Sequence, residues 1–298
     1  MTPDSPFAAQ LHRINVQERE LSVLGSATRF WVYGDADAAT TVVVVHGYRG
    51  EHHGLEPVIA ELPSVRFISP DLPGFGRSTP LTEKDHSIDG YAAWLTAFVD
   101  ALELPEPPVV LGHSFGSIIS SAAIVAGLHL ASLILINPIA ISGLRGPRPL
   151  ATWLTVAYYR LAGLLPERAG FALLHNWLIV QVMSSSLTKT RDRARRAWIH
   201  AEHHRFFNNF ANRDVVVEGF LASISADVSE FAAAITVPTL LIAADLDDIT
   251  PVAAQYELQK LFPNATLRIL TGVGHLIHYE VPELAAAAIT DFFAEVDA

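Results

Sequence analysis

The sequence predicts an α/β protein with a mostly parallel central sheet, helices on both faces of that sheet and a helical cap inserted into it. Short β-branched apolar runs alternate with helical patterns along most of the 298 residues, which is typical of a parallel sheet covered on both sides. Strand alternation near the start predicts an antiparallel pair, and one long segment later in the chain contains no strong strand. The length is sufficient to bury a large core.

The first element is a hairpin, because residues 13–34 alternate in polarity on either side of a turn at Gly25. Six buried strands follow as apolar runs: TVVVVHG, VRFISPD, PVVLGHS, LILINP, VPTLLIAAD and TLRILTG. Helical patterns lie between these runs, chiefly GYAAWLTAFVDALEL, SIISSAAIVAGL, VAAQYELQKLF and PELAAAAITDFFAEV.

The cap is predicted over residues 139–225, where the text is helical and aromatic, and the core over residues 1–138 and 226–298. Glycines and prolines in SGLRGPRP mark the start of the insertion. An insertion at this point lies above the carboxyl ends of the strands, where open α/β sheets bind their ligands.

Composition excludes several classes of protein. The net charge of −11 argues against a nucleic-acid partner, and the absence of cysteine excludes disulfides and thiolate chemistry. The histidines at 52–53 and 203–204 are adjacent pairs, which do not face one metal together on a regular helix or strand, so we expect no metal. The metalloprotease motif H-E-x-x-H, the P-loop motif and a complete dinucleotide fingerprint are absent, so we expect no cofactor. No secretory signal and no apolar run long enough to span a membrane is evident. We therefore expect a cytoplasmic protein, and nothing in the pattern indicates an oligomeric state.

The segment GHSFG, residues 112–116, places Ser114 between a predicted buried strand and a predicted helix. A sharp turn there requires small residues at Gly112 and Gly116, and it lifts the hydroxyl out of the sheet at a helix N-terminus. A serine becomes a good nucleophile only beside a base, and that base works best when a carboxylate orients it.

Both partners follow later strands. LIAADLDDITP supplies Asp245, Asp247 and Asp248, and GVGHLIHYEVPE supplies His275 and His278. The order serine, aspartate, histidine at successive strand ends is that of the α/β-hydrolase fold.

The chain resembles the α/β-hydrolase family, in particular its capped, esterase-like and lipase-like members. The matching motifs are HGYRG, DLPGFGRS, GHSFG, DLDDITP and GVGHLIHYEVPE, and they span nearly the whole chain in the expected order. The resemblance implies that Ser114 is the nucleophile, that Asp247 is the acid with Asp248 as the alternative, and that His275 is the base.

The resemblance also implies that the backbone N–H groups of Tyr48 and Phe115 form an oxyanion hole, supported by His46. Five side chains are predicted to contact substrate: Arg49, Trp153, Tyr159, Trp177 and Phe207.

The leading hypothesis is a serine hydrolase of carboxylic esters or lactones with a hydrophobic moiety, acting through an acyl-enzyme. One alternative is a hydrolase of carbon–carbon bonds in diketone-like ring-cleavage products. The other is a non-catalytic receptor for small apolar molecules on the same scaffold, because fold alone does not determine function.

Overall fold

A computed structural model describes residues 5–146 and 149–296. Its eight strands form one sheet in the order β1-β2-β4-β3-β5-β6-β7-β8. The strands are β1 Val16–Val23, β2 Ser26–Tyr33, β3 Thr41–Val45, β4 Arg66–Pro70, β5 Val109–His113, β6 Ser132–Ile136, β7 Thr239–Ala244 and β8 Ala265–Leu270. The predicted hairpin and the six later strands are therefore confirmed as strands. Five of the six are buried as expected, whereas β8, at the edge of the sheet, is only partly buried.

The hairpin between β1 and β2 turns at Leu24 and Gly25, whose φ angles are 46° and 76°. Two consecutive residues in the left-handed region are typical of the tight turn whose twist matches that of a hairpin. β2 pairs antiparallel with β4, and every later pair in the sheet is parallel. The carboxyl ends of β3, β5, β6, β7 and β8 consequently lie along one edge.

Helices cover both faces of the sheet. Those of the core are α1 Ala8–Leu11, α2 Glu56–Ala60, α3 Ile88–Ala101, α4 Phe115–Val125, α10 Val252–Leu261, α11 Ile277–Glu280 and α12 Pro282–Val296. Those between β6 and β7 are α5 Pro149–Leu164, α6 Glu167–Leu174, α7 Trp177–Leu187, α8 Arg193–Phe206 and α9 Arg213–Ser225. We keep the name cap for residues 139–225, whose boundaries stay a prediction; residues 147 and 148 of SGLRGPRP lie outside the described residues.

Two apolar layers hold the core together, one on each face of the sheet. One contains α2 and α12, and the other contains α3 and α4. The second layer continues into the cap through Tyr159, Leu174 and Phe220, which are nearly inaccessible to solvent. Burying a side chain of this size contributes roughly 1.5–3 kcal/mol, so these contacts fix the cap on the sheet edge. In the described ranges, no helix combines the length and the apolar character that crossing a bilayer requires.

Candidate active site

Ser114 occupies the sharp turn between β5 and α4. Its φ of 53° and ψ of −116° place it in a sparsely populated backbone region. The flanking glycines are required by crowding: a Cβ on Gly116 would lie 2.0 Å from the carbonyl oxygen of Val45, and one on Gly112 would lie 2.7 Å from that of Gly116. Positions 112 and 116 therefore have no room for a side chain, and the turn presents the hydroxyl of Ser114 at the sheet edge.

Three side chains form a hydrogen-bonded chain at this edge. The Oγ of Ser114 lies 2.8 Å from Nε2 of His275, and Nδ1 of His275 lies 2.8 Å from Oδ2 of Asp247. His275 and Asp247 are both buried. With Nδ1 donating to the carboxylate, Nε2 is free to accept the proton of the serine, which is the arrangement a general base requires.

Asp247 is held in its ionised form by a set of donors. Oδ1 accepts hydrogen bonds from the backbone N–H groups of Ile249 and Thr250, at 2.8 and 3.2 Å. Oδ2 accepts one from Nδ2 of Asn137, at 3.0 Å. Burial alone would raise the pKa of this carboxyl, but the charge interaction and hydrogen bond with His275, together with the two backbone donors, lower the pKa overall. The acid is therefore a carboxylate throughout the neutral range.

The two neighbouring aspartates have other partners. Asp245 accepts a hydrogen bond from the N–H of Gly272, at 2.7 Å, which ties the two loops together. Asp248 lies 2.6 Å from Nζ of Lys189 in the cap. Of the three carboxylates considered, Asp247 is thus the one that contacts the histidine.

Asn137, which the sequence analysis did not assign to the site, follows β6 directly and has a φ of 47°. Its amide reaches both Asp247 and, at 3.5 Å, the carbonyl oxygen of Gly274. It therefore links the acid to the residue that precedes His275. A polar residue directly after a fully buried strand was the signal that could have indicated this role.

Two further buried histidines lie beside the triad. The rings of His113 and His278 are 4.2 Å apart, and that of His113 lies 5.7 Å from that of His275. Burial, followed by the proximity of His275, lowers the pKa of His113 to about 3; burial also lowers that of His278. Both rings are therefore neutral at neutral pH and add no positive charge near the base.

The loop after β3 passes directly beside the serine. A Cβ on Gly47 would lie 3.3 Å from Cβ of Ser114, and Tyr48 comes next in the chain. His46 fixes this loop: its Nδ1 donates to the carbonyl oxygen of Gly47 and its Nε2 accepts from the N–H of Leu72, both at 2.8 Å. The predicted support by His46 is therefore present as two hydrogen bonds.

The second predicted donor, Phe115, is the first residue of α4. Its N–H belongs to the first turn, whose donors have no partner within a helix, and the positive end of the helix dipole favours negative charge there. The rings of Tyr48 and Phe115 pack edge to face, with centroids 6.3 Å apart. The side chains of the two predicted donor residues are thus in contact.

A cavity of about 260 Å³ opens beside Ser114 and His275, between the sheet edge and the cap. Its wall is mostly apolar and includes Phe115, Ile139, Met183, Leu276 and Phe220. Among the predicted substrate contacts, Arg49, Tyr159 and Phe207 lie in this wall.

Trp153 and Trp177 do not lie in the cavity wall. Their side chains are 63% and 62% exposed, because α5 and α7 turn other faces toward the core. Tyr159 and Ala162 are buried positions on α5, and Tyr159 lies about 120° around the helix from Trp153. The expectation that these two tryptophans contact substrate is corrected accordingly: they belong to the outer surface of the cap.

One group of side chains outside the triad has the composition of a metal site. Ligand atoms of Glu51, His52 and His53 lie within 4.8 Å of one another, because a short 3-10 turn brings the two adjacent histidines onto the same side. Nδ1 of His52 lies 2.8 Å from Asp71, and Nδ1 of His53 contacts Glu51. These nitrogens thus already have carboxylate partners, and the rings stack between Trp31 and Phe206, which is the packing of a structural cluster.

Comparison with known proteins identifies the family of the chain. The sequence model of the alpha/beta hydrolase fold family matches residues 40–282. The chain belongs to this family, and the expectation of a hydrolase is confirmed at that level.

Individual relatives are distant. Human monoacylglycerol lipase ABHD6 is 24% identical over 268 residues, which cover 86% of this chain and 76% of that protein. A thermophilic esterase from Thermogutta terrifontis superimposes with a TM-score of 0.75 at 22% identity, covering 95% of this chain and all of that one. The enol-lactonase from Burkholderia xenovorans superimposes with a TM-score of 0.76 at 18% identity, covering 93% of this chain and all of that one. The structural likenesses establish the shared fold.

Proposed function

We propose that the protein is a serine hydrolase that cleaves small, largely apolar carboxylic esters or lactones. The observation that carries the proposal is the continuous hydrogen-bonded chain from Ser114 through His275 to Asp247 at the wall of an apolar cavity. Relatives that are named as esterase, lipase and enol-lactonase favour an ester or lactone as the bond that is cleaved.

In the first half of the reaction, Ser114 attacks the substrate carbonyl as His275 removes the proton from its Oγ. The N–H groups of Tyr48 and Phe115 stabilise the negative charge that develops on the carbonyl oxygen. Because these backbone donors are already in place, the protein does not need to reorganise during the reaction. Asp247 stabilises the positive charge on His275 through the bond at Nδ1. His275 then protonates the leaving alcohol oxygen, and the acyl group remains on Ser114.

In the second half, water takes the place of the alcohol. His275 removes a proton from this water, which attacks the acyl carbonyl, and the tetrahedral intermediate collapses with return of the proton to the Oγ of Ser114. With a lactone the alcohol and acid belong to one molecule, so a single hydroxy acid leaves. No other chemical group is required for either half.

Cavity size predicts which esters are preferred. An apolar cavity of about 150 Å³ is large enough for benzene, so the 260 Å³ found here suits an acyl group of short to medium length. We expect turnover to be highest for such chains and to fall for palmitoyl esters, whose acyl chain is too long to fit within this volume.

The test is steady-state hydrolysis of p-nitrophenyl esters from acetyl to palmitoyl by the wild type and by Ser114→Ala. We expect turnover of the shorter esters by the wild type and a loss of about 10³-fold or more in the variant. Ser121→Ala is a matched control, because this buried serine of the same helix donates to the carbonyl oxygen of Ser117 and contacts neither Ser114 nor His275. Equal rates for wild type and Ser114→Ala would refute the proposal. Labelling of Ser114 by a fluorophosphonate without hydrolysis of any ester would point to carbon–carbon cleavage instead.

A further inference from the structure

Arg49 connects the loop beside the serine to the cap. Its side chain is 1% exposed, and its guanidinium donates to three cap oxygens: the carbonyls of Phe207 and Leu174, each at 3.0 Å, and Oδ1 of Asn208 at 2.6 Å. A longer contact of 3.4 Å joins it to the hydroxyl of Tyr159. All four acceptors come from the cap, although Arg49 itself belongs to the core.

The surroundings of this cation differ from those of an ordinary ion pair. In residues 5–146 and 149–296, no carboxylate lies within salt-bridge distance of Arg49. The charge rests instead on the faces of Phe207 and Phe210, at 4.7 and 5.3 Å from the ring centroids. Burying a cation without an anion is unfavourable, whereas an apolar side chain would fill the same space at lower desolvation cost. The guanidinium differs from an apolar side chain in forming directional hydrogen bonds, because its planar group of donors holds several acceptors in fixed positions at once.

The preceding residue is anchored to the cap as well. The hydroxyl of Tyr48 donates to the carbonyl oxygen of Val216 in α9, at 2.6 Å. Its ring lies 6.0 Å from that of Tyr159 and 6.1 Å from that of Phe220. Both side chains of the dipeptide 48–49 therefore extend into the cap, while the backbone of the same dipeptide passes the serine.

The backbone at Arg49 is in an unfavourable conformation. Its φ is 58°, a value that residues with side chains adopt rarely. A hydrogen bond from the N–H of Gly50 to the carbonyl oxygen of Gly47, at 3.0 Å, closes the turn around Tyr48 and Arg49. The cap contacts of the Arg49 side chain add directional interactions from outside the loop that favour the same conformation. Loss of these contacts would let the loop relax directly after Tyr48.

We propose that Arg49 is a positioning residue: by binding the cap oxygens at 174, 207 and 208, it holds the N–H of Tyr48 where the oxyanion forms, so that docking of the cap and completion of the oxyanion hole are a single event. This inference rests on the proposed hydrolase function. It gives Arg49 a role different from the substrate contact expected from the sequence.

The first test replaces Arg49 by Met, which keeps the apolar stem, and by Lys, which keeps the charge without the fork. For p-nitrophenyl butyrate we expect kcat to fall about 10- to 100-fold in Arg49→Met, less than on deleting an oxyanion donor, with KM changed less than about threefold. We expect kcat of Arg49→Lys to fall by nearly the same factor. Added guanidinium ion restores part of kcat in Arg49→Met.

Binding of two inhibitors separates the oxyanion hole from the pocket. An alkyl boronic acid forms a tetrahedral adduct on the serine, so its affinity should fall by the same factor as kcat, whereas butyrate, a flat product, should bind equally well to both proteins. Equal loss of affinity for both ligands would overturn the inference, because it would indicate a disturbed pocket.

Arg213→Met is the matched control. Arg213 is also largely buried and donates to a cap carbonyl, that of Leu165 at 2.7 Å, but it does not contact Tyr48 or Arg49. We expect its kcat and boronate affinity to match those of the wild type. A loss as large as that in Arg49→Met would show that general loosening of the cap is responsible and would overturn the inference.

Asn208→Leu tests the coupling from the cap side and stays informative if Arg49→Met does not fold. It removes the acceptor at 2.6 Å and should lower kcat about fivefold or more; in the double variant the two losses should not add, because one interaction is removed twice. Unchanged kcat in Asn208→Leu overturns the inference.

If the wild type itself shows no Ser114-dependent hydrolysis, the proposed function fails. If the wild type shows such hydrolysis and Arg49→Met has the same kcat, only the role of Arg49 fails.

Discussion

The sheet edge and the cap position their side chains by different means. At the edge, backbone hydrogen bonds between neighbouring strands reach up to the site itself: the N–H of Ser114 donates to the carbonyl oxygen of Ile136, and that of Asp245 to the carbonyl oxygen of Leu270, each at 3.1 Å. In the cap, helices meet through side chains, as where the hydroxyl of Tyr158 donates to the carbonyl oxygen of Leu173. Strand pairing thus positions Ser114, His275 and Asp247, whereas side-chain packing between helices positions the cavity wall that the cap contributes.

The largest expected effect distinguishes two adjacent carboxylates at the sheet edge. Asp247→Asn should lower kcat about 10⁴-fold, because an amide in place of the carboxylate favours the wrong tautomer of His275. Asp248→Asn changes a carboxylate that contacts Lys189 of the cap rather than His275 and should retain kcat within about threefold. The check is ester hydrolysis by both variants. Comparable losses in the two would contradict the assignment of the acid and the contrast drawn between edge and cap.

Two glycines, one in each region, should respond in opposite ways to alanine. Gly116→Ala places a Cβ 2.0 Å from a strand carbonyl and should lower the free energy of unfolding by roughly 3 kcal/mol or more. In the cap, Gly163→Ala meets only the side chain of Val217, at 3.6 Å and beyond, within helix α5, and should be neutral or raise stability by up to about 1 kcal/mol. Urea unfolding of both variants provides the measurement. Destabilisation by Gly163→Ala would show that the cap is packed as tightly around this glycine as the turn at Ser114 is around Gly116.

Acidification should weaken both regions through their buried histidines. Burial lowers the pKa of His113 at the sheet edge and of His203 in the cap to about 3, whereas in the unfolded chain both titrate near 6.5. Below pH 6.5 the unfolded chain therefore binds more protons, and the free energy of unfolding falls as the pH decreases toward 3; above 6.5 neither state gains protons. At pH 5 the loss is roughly 2 kcal/mol for each histidine.

The check is urea unfolding at pH 7.5 and pH 5 for the wild type, His113→Gln and His203→Gln. Each variant should lose a similar part of the pH dependence, because the cause is burial in both regions. A wild-type stability that is equal at the two pH values would contradict this account.

The smallest effects are expected on the outer face of the cap. Trp153→Ser and Trp177→Ser remove exposed rings and should change the free energy of unfolding by no more than about 0.5 kcal/mol, with KM for short esters unchanged. Tyr159 lies on the inner face of the same helix as Trp153, so Tyr159→Ala should lower the free energy of unfolding by about 3–5 kcal/mol. A raised KM in either tryptophan variant would place that ring against the substrate after all.

The sequence predicts the sheet edge better than it predicts the cap. The hairpin, the buried strands and the order of Ser114, Asp247 and His275 could be predicted because each depends on local signals: strand periodicity, glycine at a sharp turn, and polar residues directly after apolar runs. Helix α5 is apolar on several sides, so its pattern does not reveal that Tyr159 rather than Trp153 faces the sheet. Asn137 also follows an apolar run directly, which marks it as a candidate for the site. Its partner Asp247 lies 110 positions away, and no local pattern identifies that partner.

The place at which the cap joins the sheet has a consequence for how such proteins diversify. β6 and β7, on either side of the cap, are adjacent parallel strands, with Leu133 paired to Thr239. A segment that leaves and returns between neighbouring strands can be lengthened, shortened or exchanged without altering strand order or register. The wall that faces Ser114 can thus change in size and composition while the position of Ser114 at the sheet edge stays the same.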